Sequence, residues 1–202
     1  IPQKEVEEKD TKFEGAYVKD PQVGEHKWIV SFDLDSLYPH LIMQYNISPD
    51  TKTAYGKRGS LNPQAIFDRE DGKPITTFID CVQLMNDVKH RNESLASNGV
   101  TFRRDKQGFL PNLMETMYEE RKMYKKKMLE CKAELKNLSK DAPASKIKQL
   151  KNDISKYHNF QLVRKIQLNS AFGAIGNQYF RYYDLDLAEA ITISGQLSIQ
   201  YI

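Results

Sequence analysis

The sequence predicts an α+β fold, on three observations along its 202 residues. Trp28 to Leu34 is rich in β-branched and aromatic residues, which is typical of a buried strand. Two later stretches, from about Pro111 to Leu138 and from about Ser145 to Phe172, carry apolar stripes at helical spacing. Because only a short break at Lys140 to Ala144 separates them, we expect an antiparallel helical hairpin that projects from the body.

The remaining elements follow the same patterns. A helix is predicted from Ser36 to Asn46, with Pro39 in the first turn, where its missing amide is tolerated. Residues 51–109 are rich in Pro, Gly, Asn and Asp and indicate no function. The glycines of Phe172 to Asn177 are expected to give left-handed helix ends or a close backbone approach. A last helix is expected over Leu185 to Ile202.

Composition excludes several classes of protein. The hydrophobic fraction of 40% is enough for a core. Cys81 and Cys131 lie far apart, so neither a disulfide scaffold nor a zinc site is predicted. No 18-residue apolar run or basic-then-apolar leader occurs, which argues against membrane insertion and secretion and favours a reducing, intracellular setting. Because the chain begins with Ile1 and stops at Ile202 within an apolar-periodic stretch, we expect it to be cut at both ends.

Positive charge is concentrated in one segment. Between Arg121 and Lys165 there are 14 Lys and Arg residues against four acidic residues, a local balance of +10 within a chain of net charge +3. The rest of the chain is therefore acidic. This segment is predicted to bind polyanions.

Several side chains in this pattern could bind a phosphorylated ligand. On the second helix of the hairpin, a cationic side chain, an amide side chain, an aromatic ring and a glycine share one face. On the first helix, two cationic side chains lie four residues apart. Asp33, at the end of the expected strand, could bind a metal or simply cap a helix. The alternative for the basic faces is a solvated surface that keeps the hairpin soluble. The helical candidates are Lys165, Asn169, Phe172, Gly173, Arg121 and Lys125.

The order and wording of the motifs favour one interpretation. Asp33-Leu-Asp-Ser-Leu-Tyr-Pro39 resembles motif A of the family B DNA polymerases, D-x-x-S-L-Y-P. Lys165-x-x-x-Asn169-Ser-x-Phe-Gly173 resembles motif B, K-x-x-x-N-S-x-Y-G. Phe13-Glu-Gly-Ala16 resembles the family's Y-x-G-[GA] element. Asn46 to Pro49 and Gly176 to Tyr183 are most similar to the polymerases of T4-like bacteriophages.

The resemblance implies a role for each candidate residue. Asp33 and the Leu34 carbonyl would bind Mg²⁺ for two-metal nucleotidyl transfer. Backbone amides of Ser36, Leu37 and Tyr38 would bind the triphosphate of an incoming deoxynucleotide, and the Tyr38 ring would exclude a 2′-hydroxyl. The remaining residues would come from the fingers. Arg121, Lys125, Lys165 and Asn169 would contact the triphosphate, and Phe172 and Gly173 would line the nascent base pair.

The resemblance also implies an architecture and partners. Residues 1–107 would be part of a polymerase palm with motif A, 108–177 the fingers hairpin, and 178–202 the start of the returning palm. Template-primer DNA would be the partner, in the cytoplasm of a bacterial host. The chain departs from the family at Phe172, where Tyr is usual. It also lacks motif C, D-T-D, so we expect little activity unless downstream sequence or a second polypeptide supplies that motif.

Two rival functions remain open from the residues alone. A non-catalytic basic helical hairpin would bind nucleic acid through phosphates without distinguishing a triphosphate. A purely structural coiled coil is weakened by Gly173 and Gly176 and by the irregular apolar stripe.

Overall fold

Helices dominate the structure. The structure, a computed structural model, describes residues 15–56, 83, 86–139 and 142–202. A short helical segment also covers residues 86–90. Together with one two-stranded sheet, the helices confirm the α+β class. The elements are α1 (Leu37–Tyr45), β1 (Glu93–Leu95), β2 (Thr101–Arg103), α2 (Phe109–Asn137), α3 (Ala144–Ile175) and α4 (Leu185–Tyr201).

Asn46 joins the end of α1 to the start of α2. Its backbone is left-handed, with φ of 58°, a conformation that Asn adopts more readily than most residues. The side-chain amide donates to the carbonyl oxygens of Arg103 and Lys106 at 2.6 and 2.8 Å. Its Oδ1 accepts from the Gly108 amide at 2.8 Å, immediately before α2. One largely buried side chain thus connects three segments.

The small sheet supplies much of the core. β1 and β2 are antiparallel, with Ser94 opposite Phe102. Phe102, Val100 and Ala96 are fully buried and pack in the same cluster as residues of α1, α2, α3 and α4. The segment from which the sequence indicated no function therefore holds the body together. The turn between the strands passes through Gly99, whose φ of 93° favours glycine.

Helices α2 and α3 form an antiparallel hairpin. Three pairs of side chains meet across it, progressively farther from the body: Glu120 with Arg164, Tyr124 with Tyr157, and Glu134 with Lys146. From one pair to the next, the residue number increases along α2 and decreases along α3. The two helices therefore run in opposite directions.

Helix α4 is the most buried of the described helices, and polar contacts attach it to the sheet. The Ser97 amide donates to Ser194 Oγ at 3.1 Å, and the Asn98 side chain donates to the Asp186 carbonyl at 3.0 Å. Lys52 Nζ lies 2.9 Å from Asp184 and 2.6 Å from Asp186. Burial by itself lowers the pKa of Lys52, but its hydrogen bonds to the two carboxylates raise the pKa above the usual value.

One prediction is wrong, and one alternative of another is excluded. Trp28 to Leu34 forms no strand, because Trp28 has a left-handed backbone, with φ of 61°, and no described segment pairs with this stretch. Its apolar side chains are consequently exposed, to 98% for Trp28. Of the two alternatives for the glycines at the end of α3, a left-handed helix end is excluded at Gly176, whose φ of −79° lies in the right-handed region. The Gly176 amide makes the helical bond to the Phe172 carbonyl, so the α-helical pattern persists to this residue. Phe13 and Glu14 of the Y-x-G-[GA]-like element and Cys81 lie outside the described residues.

Candidate functional site

A tight turn before α1 exposes a carboxylate. Asp33 and Leu34 are exposed and belong to no helix or strand, and Ser36 follows with a left-handed backbone, φ 56°. That conformation costs a residue other than glycine about 1 kcal/mol. The Ser36 carbonyl accepts from both the backbone amide and the imidazole Nδ1 of His40, at 3.1 and 2.8 Å, which stabilises the turn. The sequence predicted this turn but not its strain.

The turn forms one wall of a pocket of about 640 Å³. Lys165 and Asn169 of α3 form another part of the wall, and Ile199 and Ile202 close it from the end of α4. Residues 32–39 line the rest, including the first turn of α1, where helix amides have no acceptor within the helix. Asp33 thus shares one pocket with two of the predicted residues of motif B, which lie more than a hundred positions away in sequence.

Arg121 reaches the same turn from α2. Its guanidinium Nη1 donates to Ser36 Oγ at 3.0 Å and lies 3.3 Å from Asp35 Oδ1. The side chain is 12% exposed, and its buried Nε has no hydrogen-bond partner among the described residues. Lys125 follows one helical turn later and is exposed. Neither cation lines the pocket itself, but Arg121 contacts a residue that does.

Tyr38 lies between the pocket and the core. Its ring centroid is 4.8 Å from that of Phe172, with the planes tilted by 54°. A Cβ at Gly195 would approach the Tyr38 ring to 3.0 Å, so glycine allows α4 to pack closely against it. Burial raises the pKa of Tyr38. The environment of Gly173 is different: it is exposed, and a Cβ there would meet nothing within 4 Å.

Three contacts of the described residues were not predicted from the sequence. Asp35, which received no role, is the acidic partner of Arg121. Gly195 positions Tyr38, and no local pattern distinguishes it from other helical glycines. Asp184 and Asp186, whose spelling mimics the D-T-D motif, contact Lys52 instead.

Within the described part of the chain, no helix is both long and apolar enough to cross a membrane. The same residues contain no group of three or more His, Cys, Asp or Glu side chains arranged to hold a metal ion.

Known proteins resemble this chain along nearly its whole length. The profile of DNA polymerase family B matches residues 1–202. The DNA-directed DNA polymerase of Escherichia phage RB69 is 32% identical over 225 residues, which cover 94% of this chain and 23% of the phage protein. The DNA-directed DNA polymerase of Enterobacteria phage T4 gives 32% identity over 227 residues, again covering 94% and 23% of the two chains.

An archaeal protein matches as well. DNA polymerase 1 of Pyrococcus abyssi is 32% identical over 190 residues, covering 94% of this chain and 18% of that protein. The chain thus spans about a quarter or less of the length of these relatives. The predicted resemblance is confirmed on both the profile and the phage proteins: the chain belongs to the family B DNA polymerases.

Proposed function

We propose that this chain is the part of a DNA-directed DNA polymerase that binds the incoming deoxynucleoside triphosphate and presents it to a primer end. The observation that supports the proposal is the shared pocket of Asp33, Lys165 and Asn169, with Arg121 held beside it. In the reaction, the primer 3′-hydroxyl attacks the α-phosphorus and pyrophosphate leaves. This chain supplies the anion-binding side of that transfer.

The phosphates bind between α1, α2 and α3. Lys165 contributes a mobile charge from one wall of the pocket, and Asn169 donates hydrogen bonds one turn farther on. Backbone amides of Ser36, Leu37 and Tyr38 point to the same end of the site, since they open α1. Two cations of α2 complete the set. Arg121 leaves the Asp35 carboxylate and binds phosphate oxygens in its place. Lys125, one helical turn farther along α2, binds the same phosphates.

The sugar and base lie against aromatic rings. Tyr38 is fixed from two sides, by the Phe172 ring and by the close backbone of Gly195. Because the Tyr38 ring cannot move away from the sugar, it leaves no room for a 2′-hydroxyl. The site therefore selects deoxynucleotides. Phe172 stacks without a hydroxyl, and the open backbone at Gly173 lets the nascent base pair approach α3.

Asp33 and Leu34 fit a divalent cation. An exposed carboxylate and a neighbouring main-chain carbonyl on the pocket wall are hard oxygen donors, which suit Mg²⁺ when substrate phosphates and water supply the other ligands. Bound Mg²⁺ would lower the barrier by neutralising charge on the attacking and leaving oxygens. The carboxylate of Asp33 is therefore the catalytic group that this chain contributes.

The whole enzyme requires more than these residues. The sequence contains no Asp-Thr-Asp, so the chain binds nucleotide but hardly extends a primer unless other sequence or a second polypeptide supplies motif C. In this proposal residues 1–107 belong to the palm, 108–177 are the fingers and 178–202 return to the palm. Template-primer DNA is the partner, and a bacterial host's cytoplasm is the place of action.

A charge-neutral variant tests the pocket. With Mg²⁺ present, we expect Lys165→Gln to weaken binding of a deoxynucleoside triphosphate by roughly tenfold or more, because a charge-assisted hydrogen bond is worth about 1.5–3 kcal/mol. The control is Lys156→Gln, on the same helix, where the ammonium lies near Tyr157 instead of the pocket. Titration calorimetry measures both affinities.

Hydrogen exchange separates this function from a non-catalytic nucleic-acid-binding hairpin. The triphosphate with Mg²⁺ should protect amides around Ser36, Arg121 and Lys165 together. A hairpin that recognises only backbone phosphates would instead bind triphosphate and inorganic phosphate alike, without protecting the turn at Ser36. Equal losses in the two glutamine variants would also contradict the proposal.

A further inference from the structure

A row of cations continues along α2 beyond the pocket. Arg121 faces the turn at Ser36, which shows which side of α2 points to the site. Lys125, Lys132 and Lys136 follow at offsets of four, eleven and fifteen residues, which keep them on that same side of a helix. All three are exposed. This row reaches almost to the C-terminal end of α2 at Asn137.

A second row lies on the neighbouring side of α3. Lys165 lines the pocket, and His158 and Lys151 precede it at intervals of seven residues, with Lys148 near the start of the helix. Residues seven apart on a helix share a side, and Lys148 is the surface neighbour of Lys151 one turn earlier. All four are exposed. We call the two rows together the basic face: Lys125, Lys132, Lys136, Lys148, Lys151, His158 and Lys165.

The acidic residues of the hairpin lie off the basic face. The pairs Glu120 with Arg164 and Glu134 with Lys146 connect the two helices along the other edge of their interface. Within α2 and α3, both of which are fully described, no carboxylate falls in either row. The acidic residues elsewhere on these helices are Glu115, Glu119, Glu120, Glu130, Glu134 and Asp153.

We propose that the basic face binds the phosphate backbone of a single DNA strand along the hairpin, outside the triphosphate pocket. A triphosphate is too short to reach from Lys165 to Lys136, so the distal lysines need a longer anion. Packed helices lie about 8–10 Å apart, which makes the face a narrow strip suited to one strand. Exposed lysines without carboxylate neighbours bind phosphates regardless of sequence. This inference rests on the proposed function, since the strand starts beside the polymerase pocket.

The salt dependence of DNA binding tests the proposal. The triple variant Lys132→Gln, Lys136→Gln and Lys151→Gln removes three distal cations while keeping good helix formers. Binding of the 202-residue chain to a fluorescent oligothymidylate is followed by anisotropy over a range of salt concentrations. Since each phosphate contact contributes about 0.7 to the slope of log affinity against log salt, we expect the slope to fall by roughly 2.

A matched triple on the same hairpin provides the control. Lys126→Gln, Lys127→Gln and Lys156→Gln removes the same charge from positions off the basic face, and should leave the slope near that of the unaltered chain. Circular dichroism checks that both triples keep their helix content. Equal loss of slope in both triples, or a larger loss for duplex than for single-stranded DNA, would overturn the proposal.

Triphosphate titration separates this inference from the function on which it rests. The distal triple should bind a deoxynucleoside triphosphate with unchanged affinity, because its lysines lie outside the pocket. If the unaltered chain binds no triphosphate while only the distal triple loses single-stranded DNA, the proposed function fails and the DNA surface stands. If the unaltered chain binds triphosphate and the distal triple shows the same salt dependence of DNA binding as the unaltered chain, only the proposed DNA-binding surface is wrong.

Discussion

The body of this chain and its helical hairpin are stabilised in different ways. The body buries Ile42, Ile47 and Phe102 almost completely, and Asn46 and Ser194 accept hydrogen bonds from backbone amides within it. The distal hairpin buries little besides Met128 and Leu150, and relies on cross-helix ion pairs and stacked rings. The difference indicates that the body and the distal part of the hairpin are unequally stable. The pocket lies at the body end of the hairpin, because Lys165 is one helical turn from Leu168 of the core.

The largest effect should come from the body. Ile42→Ala removes a side chain that is 1% exposed, and we expect a loss of about 3–4 kcal/mol in the free energy of unfolding. Leu150→Ala, at 3% exposure in the hairpin, should cost about 2 kcal/mol, because two helices can close over the space. Urea denaturation measures both free energies.

Native-state hydrogen exchange then shows where each change acts. Leu150→Ala should raise exchange in the distal parts of α2 and α3 and leave α1 and α4 protected, as expected for a separate unit of local unfolding. If it exposes α1 and α4 as much as Ile42→Ala does, the two regions unfold together and the comparison fails.

An intermediate effect should follow from loss of the Lys52 contacts. Lys52→Met should destabilise the body by roughly 1–3 kcal/mol, because Asp184 and Asp186 would lose a cation in a partly buried site. The pKa of Lys52 is raised on folding. Its contribution is therefore fully present below the unfolded pKa near 10.5 and is lost as the pH rises through the higher folded value.

Unfolding curves at two pH values test this. At pH 7 the variant should be less stable than the unaltered chain, and above pH 11 the difference should shrink. A difference that is constant between these pH values would show that the amino group of Lys52 contributes nothing through its charge.

The smallest effect should arise where the hairpin contacts the turn. Asp35→Asn removes the carboxylate beside Arg121, so we expect a deoxynucleoside triphosphate to bind about two- to fivefold more tightly. The change is small because Asp35 is 66% exposed, and exposed ion pairs contribute at most about 1 kcal/mol. Calorimetry with Asp20→Asn as a charge-matched control measures it. Weaker binding in Asp35→Asn would mean that the carboxylate helps to position Arg121.

Local patterns predicted the helices well and the core poorly. The helix expected over Ser36 to Asn46 is found at Leu37–Tyr45, and the last helix at Leu185–Tyr201, because caps and apolar spacing are encoded within the element. The buried strand expected at Trp28 is absent, and the core strands lie in a segment that is rich in Pro, Gly, Asn and Asp. Strands depend on partners distant in sequence, which periodicity does not identify.

The sequence by itself determined the family, since the spelling of two motifs was sufficient, and it determined which residues carry charge and apolar surface. Only the tertiary structure decided which of them meet. It placed Lys165 in the same pocket as Asp33, paired Arg121 with Asp35, and brought Asp184 and Asp186 to Lys52. The physical reason is that a side chain's partners follow from how helices and loops pack in space, and packing combines contributions from the whole chain.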